Sequence, residues 1–228
     1  MSSGAMARSG PDTGPNRRHL TPRPFHDRRR LRVGLFGGSF NPSHDGHLHL
    51  SDLAQKALRL DEIWWLVSPQ NPLKTDRGMA SLSARLSAAR HLTATRRHVR
   101  VIAPEAEFRS SLTVNTLLIL RGRCPRHRFI WLMGADNMAL FRSWQRHHVI
   151  ARRMPIAVID RPGYSYRAMS VGARLLDRRV TVGRMAAELR GSGSVGRHWC
   201  FIAGRRHHAS ATALRQTGLQ GANVERND

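Results

Sequence analysis

The sequence predicts an α/β protein built on a doubly wound parallel sheet. Two observations carry that expectation. Short apolar runs of strand length alternate with stretches of helical periodicity, the order left by parallel strands joined through crossover helices. The motifs that hold chemistry fall just after those runs, where the carboxyl ends of parallel strands gather ligands. A length of 228 residues suffices for one such domain with a full core.

The elements follow in order. Arg32 to Phe36 is apolar enough for a buried strand. Gly37 and Gly38 remove side chains where the backbone must turn sharply and come close to a neighbour. Asn41-Pro42 delays the helix, because the residue before a proline is pushed out of the α region. A helix then starts at Ser43 or His44 and runs through Leu48, Leu50, Leu53, Ala54 and Ala57. Asp61 to Pro69 reads as a second strand closed by a proline-containing loop, and Gln70-Asn71-Pro72-Leu73-Lys74 continues that loop. Ser81 to Thr95 is helical, with Leu82, Leu86, Ala89 and Leu92 on one face, and Val99 to Ala103 is the third strand. Ser111 caps a helix that starts in Leu112-Thr113-Val114. Phe129 to Met133 is a fourth strand ending in Gly134-Ala135-Asp136, and a helix holds Met138 to Trp144. Pro155 to Ile159 is a fifth strand. Between 164 and 198 only Ser165 to Leu176 reads as helix, and Gly191 to Gly196 as a flexible link. Cys200 to Ala203 is a last short strand.

Two stretches point to chemistry. His44 and His47 lie three apart, so both project from one face of the first helical turn. A helix N-terminus already presents free N–H groups and partial positive charge. Two histidines added there suit a polyphosphate rather than a cation. No Cys, Asp or Glu completes a metal site around them, so no protein-held metal is expected. Neither the G-x-x-x-x-G-K-[ST] phosphate loop nor the dinucleotide glycine fingerprint is present. Near the end of the chain, Ser210-Ala211-Thr212-Ala213-Leu214-Arg215 offers hydroxyls and amide N–H groups with a guanidinium one turn in, a second phosphate cradle.

Composition sets the outer bounds. Residues 1–30 hold seven arginines and little that could be buried, and read as a disordered basic tail. The net charge is +23, of which the tail supplies +5, so +18 stays with the body. That charge admits a nucleic-acid reading. Yet lysine occurs only at Lys56 and Lys74, a skew that looks like coding bias, and no aromatic RNA platform interleaves the arginines. A positive field attracts anionic nucleotides equally well. Two cysteines, Cys124 and Cys200, give no disulfide framework. No apolar run is long enough to span a membrane and no apolar signal segment opens the chain, so a cytoplasmic protein is expected.

Taken as a whole, Gly38-x-Phe40-x-Pro42-x-His44-x-Gly46-His47-Leu48 resembles the signature of the HxGH nucleotidyltransferase superfamily. Further landmarks narrow the resemblance. They are Pro69-x-Asn71-Pro72-x-Lys74, Thr113-x-x-Thr116-Leu117, Gly134-Ala135-Asp136 with Trp144, and Arg161-Pro162-Gly163-Tyr164. The second superfamily motif, Ile-Ser-[Ser/Thr]-Thr-x-[Ile/Leu]-Arg, is met by Ser210, Thr212, Leu214 and Arg215, with Ala209 in place of the leading Ile. From about Arg32 to Arg215 the chain is similar to bacterial nicotinate-nucleotide adenylyltransferases. It departs from them at Leu112 (usually Tyr) and at Gln145 (usually His or Tyr). It also departs after the second motif, where the common Val-Pro-x-x-Val-x-x-Tyr-Ile helix is not matched.

The resemblance implies a Rossmann-like nucleotidyltransferase domain over 31–217, followed by a disordered tail over 218–228. It implies adenylyl transfer from ATP, with Mg²⁺ carried on the nucleotide, to nicotinate mononucleotide. His44, His47 and Arg215 would be catalytic. Gly37, Gly38, Ser39, Asp136, Ser210 and Thr212 would join them in holding ATP, with Asp136 at the adenosine end. Phe40, Asn41, Asn71, Lys74, Thr113, Trp144 and Arg161 would face the acceptor, Trp144 by stacking on its pyridine ring. Trp144 could equally be a core tryptophan, and Asp136 a helix N-cap. Nicotinamide mononucleotide is the rival acceptor. A basic RNA-binding module is the rival from another class, and the intact His44, His47 and Arg215 speak against it.

Overall fold

The computed structural model describes residues 29–69, 79–108, 110, 112–191 and 197–204. Its strands are β1 (Arg32–Gly38), β2 (Glu62–Val67), β3 (Val99–Ile102), β4 (Arg128–Gly134), β5 (Ile156–Ile159) and β6 (Trp199–Ile202). All pair in parallel, in the order β3-β2-β1-β4-β5-β6. The connections carry α1 (Asp45–Leu58), α2 (Leu82–Leu92), α3 (Pro104–Phe108), α4 (Thr113–Arg123), α5 (Ala135–Ala139), α6 (His147–Arg153), α7 (Ser165–Leu175) and α8 (Val182–Arg190). The strand order reverses between β1 and β4, which creates the crevice where open parallel sheets bind ligands.

Alternation along each strand builds two cores. Val33, Leu35, Trp64, Leu66, Phe129, Trp131, Met133, Ile156, Val158 and Trp199 point to one face, against α4 to α7. Phe36, Ile63, Trp65, Val67, Ile130, Leu132, Ala157, Ile159, Cys200 and Ile202 point to the other, against α1, α2 and α8. Burial on both faces is why the strands read as nearly unbroken apolar runs. Each fully buried Leu or Ile, such as Leu35 or Ile63, contributes about 1.5–3 kcal/mol relative to exposure. Both cysteines are buried thiols outside any disulfide. Burial pushes the Cys200 thiol up to about 12, so it packs as a small apolar group.

A hinge of polar contacts fixes where β1 begins. Arg32 and Asp61 exchange backbone and side-chain bonds: Arg32 N–H donates to Asp61 Oδ2 at 2.7 Å, and its Nε to the same oxygen at 2.9 Å. Asp61 N–H returns a bond to the Arg32 carbonyl at 2.9 Å. The guanidinium holds the Asp61 carboxyl below the ordinary carboxylate range.

The expected strands all form, with ends shifted by a residue or two. The helix expected over Met138 to Trp144 is instead the short α5 followed by a 3₁₀ turn at Phe141–Ser143. Three helices were not expected: α3, α6 and α8. The cap expected from Ser111 lies outside the described residues, and Leu112 caps α4 with no side-chain bond. Among the described residues no helix is long and apolar enough to cross a membrane.

Candidate active site at the carboxyl ends of the strands

The site begins where β1 runs out. Gly37 needs its missing side chain for packing: a Cβ there would stand 2.4 Å from the edge of the Trp131 indole. The chain then turns through Ser39 to Ser43. Phe40 sits in the left-handed region at φ 47°, a costly conformation for an aromatic residue that persists only where surroundings over-determine it. They do so here. The Phe40 ring stacks on Trp65 at 4.7 Å with planes 13° apart, and lies 4.9 Å from the His47 ring. That ring is 1% exposed. The Phe40 side chain is thus packed between Trp65 and His47.

Helix α1 is capped by its own histidines. His44, buried and extended, is the N-cap, and its Nδ1 accepts from Gly46 N–H at 3.1 Å. His47 reaches back, its Nδ1 accepting from His44 N–H at 3.3 Å. This is a capping box with imidazoles in place of the usual hydroxyl and carboxamide. A ring nitrogen that accepts carries no proton, so each neutral ring holds its proton on Nε2. The two rings lie 3.9 Å apart between centroids. Below them Trp65 Nε1 donates to Ser51 Oγ at 2.8 Å, and Ser51 Oγ donates to the His47 carbonyl at 2.9 Å. The two close, mutually tilted histidines therefore rest on this bonded floor at the start of a 14-residue helix.

Opposite, β4 ends in Gly134, and Asp136 occupies the first turn of α5. Arg161, just after β5, approaches Asp136 Oδ2 at 3.5 Å. The other oxygen, Oδ1, is buried with no hydrogen-bond partner among the described residues. Asp136 does not cap α5; Gly134 stands at that position. Trp144 is half-buried, its ring edge-on to Trp131 at 6.2 Å and to Phe141 at 5.7 Å. Part of it belongs to the core, and the rest is open to solvent. Thr113 opens α4 and is half-buried. Asn41 accepts through Oδ1 from Ala80 N–H at 3.1 Å. The fold thus brings Gly37, Gly38, Ser39, Asn41, His44, His47, Asp136 and Arg161 to the carboxyl ends of β1, β4 and β5. Asn71, Lys74, Ser210, Thr212 and Arg215 lie outside the described residues.

Sequence reasoning missed two groups beside this site. Arg85 of α2 is 2% exposed and donates to four carbonyls: Ser39 at 2.7 Å, Ser68 at 2.6 Å, Pro69 at 2.7 Å and Ala80 at 2.9 Å. The available signal was an arginine at i+3 from Leu82 on the apolar stripe of its helix. Glu105, in the first turn of α3, is buried and accepts from Ser68 Oγ at 2.7 Å. Burial pushes its carboxyl up, with the Ser68 hydroxyl opposing.

A doubly wound sheet with an imidazole-capped helix at its switch point defines the class: a nucleotidyltransferase of the HxGH kind. The comparisons give the family. The cytidylyltransferase-like family matches residues 35–217. A Brucella suis protein named probable nicotinate-nucleotide adenylyltransferase is 43% identical over 194 residues, 84% of this chain and 98% of that one. An Erythrobacter litoralis protein of the same name is 56% identical over 140 residues, 61% of this chain and 64% of its own length. The Plasmodium falciparum nicotinic acid mononucleotide adenylyltransferase complexed with NaAD shares the fold, with TM-score 0.61 and 14% identity over 82% of this chain and 83% of that one. The chain belongs to the cytidylyltransferase-like family and, within it, to the nicotinate-nucleotide adenylyltransferases.

Proposed function

We propose that this protein transfers the adenylyl group of ATP to nicotinate mononucleotide, releasing pyrophosphate and forming deamido-NAD for NAD biosynthesis. The names of the relatives support the substrates, and the pair of closely set histidines at the N-terminus of α1 carries the reading of the chemistry. The acceptor phosphate is an anion at neutral pH, so the reaction needs no general base. One of its oxygens attacks the α-phosphorus in line. The bond from that phosphorus to the bridging oxygen breaks, and the electron pair leaves with pyrophosphate. Catalysis then rests on positioning and charge stabilisation.

In this reading His44 and His47 donate from Nε2 to the triphosphate, since both Nδ1 atoms are engaged in capping. The α1 dipole adds partial positive charge at the same point. Ser39 and Gly38 offer backbone to the phosphates. Asp136 Oδ1, a buried acceptor without a donor among the described residues, suits a hydroxyl or amino group at the adenosine end. The half-open face of Trp144 suits the pyridine ring. Asn41, Thr113 and Arg161 stand on the acceptor side, with Asn71 and Lys74 assigned there by resemblance. Ser210, Thr212 and Arg215 are assigned to the β- and γ-phosphates on the same ground.

Magnesium enters with the nucleotide. Among the described residues no three His, Cys, Asp or Glu side chains gather to hold an ion, and Mg²⁺ prefers substrate phosphates and its own waters. Two buried thiols outside any disulfide fit a reducing cytoplasm. No specific nucleic-acid partner is part of the proposal. Purified protein with MgATP and each acceptor should release pyrophosphate and form the dinucleotide. Nicotinate mononucleotide should exceed nicotinamide mononucleotide by at least about tenfold in kcat/KM, because an anionic carboxylate gains more than an amide in a positive site. Equal use of both would refute the acceptor while leaving adenylyl transfer intact, and titration with RNA over a range of salt tests the remaining rival.

A further inference from the structure

We infer that Arg85 is a positioning residue for acceptor binding, setting the Ser39–Asn41 turn against both flanks of the β2–α2 connection. The inference rests on the reaction proposed above. Its guanidinium is buried, and no carboxylate among the described residues pairs with it. Burial lowers the pKa of this arginine, yet arginine stays protonated in proteins. A buried cation without an anion is a costly way to fill space, and an apolar side chain would do so more cheaply. The group is matched instead to four carbonyl dipoles from three separate segments. Its planar fork supplies donors in the fixed directions those carbonyls require, which a lysine ammonium cannot reproduce.

The contacts close a ring. Arg85 holds the Ser39 carbonyl and the Ala80 carbonyl. Ala80 N–H in turn donates to Asn41 Oδ1. Phe40, in the left-handed conformation, lies between the two held residues Ser39 and Asn41. Ser68 and Pro69, at the end of β2, hang from the same guanidinium. The N-terminus of α1 is secured separately, by its own imidazole caps and by Ser51 on Trp65. Loosening Arg85 therefore acts first on the turn that carries Asn41, while the two histidines keep their own capping bonds.

The test is Arg85→Lys, with Arg85→Ala beside it, read by steady-state kinetics and by calorimetric titration of MgATP and of nicotinate mononucleotide. The KM and Kd for the acceptor should rise at least about fivefold in Arg85→Lys, and those for ATP by a clearly smaller factor. Millimolar guanidinium should restore acceptor affinity to Arg85→Ala, and urea at the same concentration should not. A purely structural residue would lower melting temperature and active fraction while leaving both KM values unmoved, and that result overturns the inference. So does a lysine variant too unstable to assay, since the arginine would then hold the domain rather than the turn. Wild-type protein that releases no pyrophosphate sinks the proposed reaction and this reading together; active wild type with an unmoved acceptor KM sinks the Arg85 reading alone.

Discussion

At the scale of single residues, the site turns on how two imidazoles are used at once. Capping ties each Nδ1 to a backbone N–H and so places the proton of a neutral ring on Nε2. The same atoms that hold the helix end thus fix the tautomer that the proposed phosphate contacts require. His47→Ala removes both the donor and half of the capping box. Loss of one preorganised donor of this kind costs on the order of 10²–10³ in turnover, and loss of a cap about 1 kcal/mol. Turnover should fall by that factor while the melting temperature drops by only a few degrees and acceptor affinity barely changes. Near-normal turnover in that variant would remove His47 from the chemistry. The histidine pair was legible in the sequence because spacing and helix geometry suffice to place it. Phe40 was not, because a motif position says nothing about whether its ring faces the crevice or the core. Arg85 escaped for a related reason: a lone arginine in a helix reads as solvated until four carbonyls are seen around it.

At the scale of elements, the strands were readable because burial on both faces leaves continuous apolar runs. Helices α1, α2 and α7 were readable from an apolar stripe ending in recognisable caps, such as Ser81 on α2. Helices α3 and α6, five and seven residues long, are too short to show a period. Helix α8 is marked only by Thr181, which accepts from Arg184 N–H, and by buried Met185 and Leu189. The junction of β1 with β2 makes a prediction of its own. Arg32 lowers the Asp61 pKa through side-chain hydrogen bonds, against an opposing cost of burial. A carboxylate whose folded pKa is depressed contributes stability that is fully present above its unfolded value, near 3.8. That contribution is lost as pH falls through the folded value. The protein should therefore keep its stability from neutral pH down to about 5 and lose part of it below about 4, by roughly 1 kcal/mol or less for a partly exposed pair. Asp61→Asn should be less stable at pH 7 and lack that component of the acid loss. Denaturant titrations at several pH values decide it, and a variant with an unchanged acid limb would show that Asp61 does not titrate on unfolding.

At the scale of the whole molecule, the question is what the +23 charge does. Its field extends only about 8 Å at physiological ionic strength, so only charges that lie near the crevice in space act on it. Residues 1–30 supply +5 of that total and hold too few apolar residues to add to either core. We propose that they are dispensable for folding and activity. Among the described residues, backbone pairing to the sheet starts at Leu31, whose carbonyl accepts from Arg128 N–H at 2.7 Å and whose side chain packs on the core. Ahead of it, Arg29 pairs with Glu62 at 3.6 Å, with its own side chain 57% exposed. Such a pair is worth about 0–1 kcal/mol. Glu62 keeps Arg100 at 3.1 Å and Trp64 Nε1 at 2.7 Å without it. A chain beginning at Leu31 should consequently melt within about 4 °C of the full one, since 1 kcal/mol shifts a domain of this size by roughly 2–4 °C. Its kcat should be unchanged. Its KM for ATP should rise by less than about threefold at low salt, as weaker steering of an anion would give, and converge on the full-length value at about 0.5 M salt. A larger fall in melting temperature, or a KM difference that survives high salt, would mean that these residues make specific contacts with the domain.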